Sequence, residues 1–135
     1  YEQAEQAGNL RRFSVAGGNG ADTVDIETLP MVNPARQGAG SVHHIAFRAA
    51  DDAAQEEMVR RLVQNHGISP TEQRDRNYFR SVYFREPGHV LFEIATDIPG
   101  FAVDEPAAEL GRSLKLPPQY EAHRKEIEAV LPALG

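Results

Sequence analysis

Residues 77–96 read NYFRSVYFREPGHVLFEIAT. Two short runs, 77–85 and 89–96, combine aromatic and branched aliphatic residues. Between them stands Glu86-Pro87-Gly88, a turn signal, so the stretch predicts two strands joined by a turn. Side chains on a strand alternate between faces. One face then carries Val82 and Phe84 with Val90, Phe92 and Ile94. The other carries Phe79, Ser81 and Tyr83 with His89, Leu91, Glu93 and Ala95.

Working backwards, residues 41–49 (SVHHIAFRA) predict a third strand, with Ile45 and Phe47 on one face and Val42, His44 and Ala46 on the other. Asp51 to Gly67 predicts a helix. Asp51 or Asp52 can cap it, Glu56 and Glu57 suit its early turns, and Gly67 suits its end. Ala54, Met58, Val59, Leu62 and Val63 form its apolar stripe, in which Met58 is a core residue. Residues 71–76 predict a short, poorly marked strand. The order across 41–97 is therefore β-α-β-β-β, and the fold class is α+β. The aliphatic and aromatic strand faces suit cover by the helix, each large side chain contributing roughly 1.5–3 kcal/mol on burial.

The opposite faces mix small apolar residues with one polar group each: His44, Tyr83 or Glu93. A sheet face that simply met water would hold more Lys, Glu and Thr, so this pattern suggests a lined cavity. A carboxylate between Leu91, Phe92, Ile94 and Ala95 is costly to bury alone. It needs an arginine (Arg80 and Arg85 are available), a hydrogen-bond network or a metal ion. His44, on the matching face of another strand, offers a metal partner, although a histidine there can equally be a satisfied core or surface residue. Imidazole with carboxylate suits Fe(II), Mn(II), Zn(II) or Ni(II) better than Ca(II). A two-His-one-carboxylate set leaves neighbouring positions open for substrate and O₂. This chain would supply one His and the Glu, so the second His comes from elsewhere.

The flanks are simpler. Residues 9–16 and 22–29 predict two strands joined by GGNGA, within a segment 1–29 that suits the remnant strands of a preceding β-α-β-β-β unit. Residues 30–40, with two prolines and two glycines, predict a connector. The tail 98–135 is proline-punctuated and then helical from Gln119 to Leu131, with Tyr120, Ile127, Val130 and Leu131 as its packing face.

Composition bounds the possibilities. A chain of 135 residues suits one domain with its own core. With 14 Lys and Arg against 20 Asp and Glu, the net charge of −6 does not favour nucleic acid or an anionic membrane. No apolar run suits a membrane span, and the opening YEQAEQAGNL has no signal-peptide pattern. Zero cysteines remove disulfides and thiolate ligands, narrow any metal site to His, Asp and Glu, and agree with a cytoplasmic setting.

The string VHHIAF, a helix, and then DRNYFRSVYFREPGHVLFEIATDIPGF resembles the vicinal-oxygen-chelate superfamily, which includes glyoxalases, bleomycin-resistance proteins and extradiol dioxygenases. Within it the chain is most similar to the ring-cleaving branch acting on hydroquinones and catechols. The resemblance covers roughly residues 9–131 and is strongest from Val42 to Phe101. It implies a sheet that forms half of a metal-binding cup. It also implies that His44 and Glu93 are metal ligands, Fe(II) first among the ions. His43 would lie near the substrate and Tyr83 would point into the pocket, and with Arg76 they would be the candidate catalytic residues, hydrogen bonding to substrate oxygens or shuttling a proton. The implied reactants are a dihydroxylated aromatic and O₂. His89, although on the ligand face, suits a surface turn, and His66 and His123 suit helix surfaces.

Members of that family are about twice as long, with paired units, and their missing His comes from the other half. The expectation is therefore a C-terminal part of a longer protein, or a chain completed by a second copy in a homo-oligomer. Two other readings of the same scaffold are a glyoxalase-like lyase or isomerase with Zn(II) or Ni(II), and a non-catalytic small-molecule-binding module. Oxygen uptake and metal analysis separate these from the dioxygenase.

Overall fold

A computed structural model describes residues 1–18, 22–31, 33 and 36–132. They form two units, Tyr1–Ala39 and Gly40–Gly135. Among the described residues no helix is long and apolar enough to cross a membrane.

The first unit is an antiparallel meander of β1 (Glu2–Ala7), β2 (Leu10–Ser14) and β3 (Thr23–Glu27). The β2 and β3 strands match two expected strands, and Arg12 forks onto Asp25 across them at 2.7 and 2.8 Å. Part of their expected turn, residues 19–21, lies outside the described residues, as do 32, 34 and 35 of the expected connector. The β1 strand was not expected. Its sequence EQAEQA has neither branched nor aromatic residues, and the strand is exposed along its whole length. Pairing with β2 supplies what local propensity lacks.

The second unit carries β4 (Ile45–Ala49), α1 (Asp52–His66), β5 (Arg74–Asp75), β6 (Arg80–Arg85) and β7 (Leu91–Thr96). The sheet order is β4-β7-β6-β5. The β4–β7 pair is parallel and the other two pairs are antiparallel. A parallel neighbour needs a crossover, which α1 and the following strands provide. The helix begins where Asp51 Oδ1 accepts from the Ala54 amide at 2.8 Å. It stops at Gly67, whose φ of 64° costs a glycine little.

The apolar faces meet the helix only in part: Ile45 and Val90, expected on the covered face, are exposed at the strand ends, and Phe47 lies outside the core cluster. Ala49, Phe84 and Ile94 form the buried centre, and Ala54, Met58, Val59, Leu62, Ile68 and Phe92 pack against it. Val63, expected in the stripe, is exposed instead. The buried residue of α1 is Gln55, which donates to the carbonyls of Ile94 (2.7 Å) and Arg80 (3.0 Å) and accepts from Gln73 (2.7 Å). The amide thus satisfies three polar partners where an apolar stripe would leave them unmet.

The strands start later than expected. The chain between β5 and β6 turns at Asn77, with φ of 64° and its amide held by Asp75 Oδ1. Glu86 organises the β6–β7 turn by accepting from the Gly88 and Val90 amides. His89 sits in this turn with φ of 68°, exposed. The tail folds as short 3-10 turns, Phe101–Val103, Ala107–Glu109 and Pro118–His123, followed by α2 (Arg124–Val130). Its expected packing face is largely open: Tyr120, Leu131 and Val130 are exposed, Val130 by 82%. Ion pairs of Arg124 with Glu121 and Glu128 hold this stretch locally instead.

Candidate functional site

Glu93 sits in the middle of β7, beside Ala46 of β4 on one side and Tyr83 of β6 on the other. Its place in a central strand explains its burial to 2% exposure. His44 immediately precedes β4 and lies on the same face. Its Nε2 atom is 2.7 Å from Glu93 Oε2. The two arginines considered as partners for this carboxylate are engaged elsewhere. Arg80 pairs with Asp52 at 2.6 Å, and Arg85 donates to the carbonyl of His89.

The other three expected residues gather around this pair. His43 Nδ1 is 2.9 Å from His44 Nδ1. The Tyr83 ring stands edge-on to the His44 ring, with centroids 5.8 Å apart. Arg76 lies with its guanidinium carbon 5.7 Å from the centre of the Tyr83 ring and donates to the Tyr83 hydroxyl at 3.5 Å. Its Nε donates to the Ser81 hydroxyl at 3.2 Å. Ser81 is fully buried, and it was read in the sequence only as a small residue on this face.

A hollow of about 380 Å³ opens beside the pair. His44 and Glu93 line it, with Ala46, Arg48 and Ala95 farther along the same strand faces. Phe79, Tyr78 and Phe101 close the remainder. Tyr83, expected to point into this pocket, instead lines a separate hollow of about 390 Å³ with Thr71 and Arg85, and His43 and Arg76 do not line the first hollow either. Arg48 sits at the rim, its Nε shared by both oxygens of Asp97 at 2.8 Å. That hydrogen bond lowers the Asp97 carboxyl below the usual carboxylate range and raises the Arg48 guanidinium. Tyr78 donates to Asp104, a bond that raises the phenol above its ordinary value. Arg48 and Tyr78 were not singled out in the sequence. A lone arginine or tyrosine within a strand pattern carries no signal of its own.

The donor set can hold a divalent transition metal. Two atoms on adjacent corners of an octahedron, each about 2.1 Å from the ion, lie roughly 3 Å apart. The observed 2.7 Å between His44 Nε2 and Glu93 Oε2 fits such an arrangement. Were an ion to face the Nε2 lone pair, His44 would carry its proton on Nδ1 and donate it to His43 Nδ1. The His43 proton would then be on Nε2. Among the described residues no group of three or more His, Asp or Glu side chains gathers around one point. Among the described residues the pair would thus be at most two ligands of a metal site.

The model of the Glyoxalase/Bleomycin resistance protein/Dioxygenase superfamily matches residues 3–94. The chain belongs to this superfamily. Its similarity to individual members of the Glyoxalase/Bleomycin resistance protein/Dioxygenase superfamily runs over most of its length. It is 47% identical to the Bacillus subtilis protein named "Putative ring-cleaving dioxygenase MhqO" over 94% of this chain and 40% of that protein. It is 34% identical to the chlorohydroquinone/hydroquinone 1,2-dioxygenase of Sphingobium indicum over 89% of this chain and 38% of that enzyme. A crystal structure titled a "putative dioxygenase" from Bacillus subtilis superposes with a TM-score of 0.86 at 46% identity, over 99% of this chain and 42% of that one. This superfamily chain thus spans about two fifths of the length of the relatives it matches.

Proposed function

We propose that the protein carrying this chain is a non-haem, metal-dependent dioxygenase that opens the ring of a dihydroxylated aromatic such as hydroquinone or catechol. In this reading the chain is a C-terminal part. Residues 1–29 are strands of a preceding unit, and a second imidazole comes from outside the chain or from another copy. The observation that carries the proposal is the approach of His44 Nε2 to the buried Glu93 carboxylate at the edge of a hollow lined by aromatic residues. The names of the relatives support the same reaction class.

His44 and Glu93 would hold the metal, with Fe(II) favoured over Mn(II), Zn(II) or Ni(II). When bound, Fe(II) supplies a place where diol and O₂ meet and exchange electrons. This chain's residues do the rest. The small floor at Ala46 and Ala95 leaves room for a flat ring, and Phe79 excludes water from it. The Tyr83 hydroxyl, with the Arg76 guanidinium beside it, would stabilise negative charge only on a substrate oxygen that reaches past His44, beyond the hollow over the two alanines. His43, with its proton on Nε2, would donate a proton or hydrogen bond to the second oxygen. Both atoms of O₂ end in the ring-opened product, so the stoichiometry is one O₂ per diol.

The test is oxygen uptake by the complete, Fe(II)-loaded protein with hydroquinone and with catechol, alongside mass analysis of the product. Uptake of one O₂ per diol, with a product heavier by two oxygen atoms, is the expected result. Stable binding of iron with no oxygen consumed on either diol would overturn the proposal.

A further inference from the structure

The hollow beside His44 and Glu93 has an opposite wall with no role assigned so far. Beyond the end of β7 the chain turns at Gly100, whose φ of 91° favours glycine, and presents Phe101. Phe101 stacks on Tyr78 with ring centroids 5.1 Å apart and planes inclined by 24°. Tyr78 is anchored at both ends. Its hydroxyl donates to Asp104 at 2.9 Å, and its carbonyl accepts from the Gly100 amide at 2.8 Å. Both rings line the hollow, yet Phe101 remains 61% exposed. An aromatic ring held by stacking and a braced partner, but left open over most of its surface, is placed for contact with something else.

The floor between this wall and the Glu93 carboxylate is small. On β4 and β7 the residues facing the hollow next to Glu93 are Ala46 and Ala95, whose methyl groups leave its volume free. Phe79 flanks the same space. A planar ring over the two alanines would have its oxygens toward His44 and Glu93 and its far edge against Phe101.

We infer that Phe101, braced by Tyr78, is a specificity-determining residue that limits the substituent an aromatic diol can carry on the side away from the His44–Glu93 pair. The identity of the ligand as a diol rests on the proposed dioxygenase reading. The shape of the wall does not.

The test compares hydroquinone with 2-tert-butylhydroquinone as ligands of the complete, Fe(II)-loaded protein, by titration calorimetry without oxygen. Phe101→Ala is expected to shift the ratio of the two dissociation constants by about tenfold or more toward the bulky ligand, the scale of a few methylene groups in a pocket. Phe101→Leu is expected to fall between, and it serves if the alanine variant does not fold. A ratio unchanged in folded variants overturns the inference, as does failure of the wild type to bind either diol. If the ratio shifts but the wild type consumes no oxygen with these diols, the wall stands and the dioxygenase reading falls alone.

Discussion

The Nε2 atom of His44, at the head of β4, meets Oε2 of Glu93, in the middle of β7, at 2.7 Å across a parallel strand pair. A carboxylate with 2% of its surface exposed would be expensive without a partner, and Arg80 and Arg85 both turn elsewhere. If the pair is one corner of a metal site, Glu93→Ala in the complete protein should lower iron retention more than about 100-fold, beyond the range typical of outer-shell partners. Elemental analysis after gel filtration measures it. Iron content equal to wild type would remove Glu93 from the ligand set.

His43 touches the other nitrogen of the same ring, Nδ1 to Nδ1 at 2.9 Å. Removing that acceptor frees His44 to rotate and to change tautomer. His43→Ala should therefore weaken iron binding by roughly 10- to 100-fold while leaving the thermal transition in place. Competition with a metal-binding dye gives the affinity. An unchanged value would mean that the contact does not orient the ligand.

Tyr83 and Arg76 face the pair from β6 and the loop before it. Tyr83→Phe removes the hydroxyl near Arg76 but keeps the ring against His44. The expected result is a fall in kcat of about 10²–10⁴ with iron content preserved. Loss of iron together with activity would place Tyr83 in support of the ligands instead.

Gln55 ties α1 to both β6 and β7 through the carbonyls of Arg80 and Ile94, at 1% exposure. Gln55→Leu keeps the bulk of the side chain and leaves those carbonyls without this donor. Urea denaturation should show a loss of about 1–3 kcal/mol. A neutral result would mean that the carbonyls find other donors.

Glu57 on the outer side of α1 accepts from both Arg60 and Arg61. These hydrogen bonds lower its carboxyl from 4.5 to about 2. A carboxyl lowered on folding contributes stability above its unfolded value and loses it as the pH falls through the folded value. The difference in stability between wild type and Glu57→Gln should be constant above about pH 5.5 and shrink from there toward pH 2. It should also shrink in high salt, because these groups are exposed. A difference that stays constant down to pH 2 would show that the pairs contribute nothing.

Much of this architecture was legible in the chain. The cap at Asp51, the stop at Gly67 and the turn at Glu86-Pro87-Gly88 are local signals, and the structure keeps them. The β1 strand and the exposed Val130 were not legible. Strand formation at EQAEQA depends on a neighbour far along the chain, and the periodicity of a helix says nothing of whether a surface waits to receive it.

By itself the sequence determined which side chains share a face, because alternation along a strand repeats every two residues and needs no knowledge of the rest. That was enough to set His44, Tyr83 and Glu93 on one side and Phe47, Phe84 and Ile94 on the other. Only the tertiary structure decided the register that puts Ala46 and Tyr83 on either side of Glu93, the clamp at Gln55 and the stack of Phe101 on Tyr78. Each of these joins residues distant in the chain, and such pairings follow from how the whole sheet and helix pack together, not from any local preference.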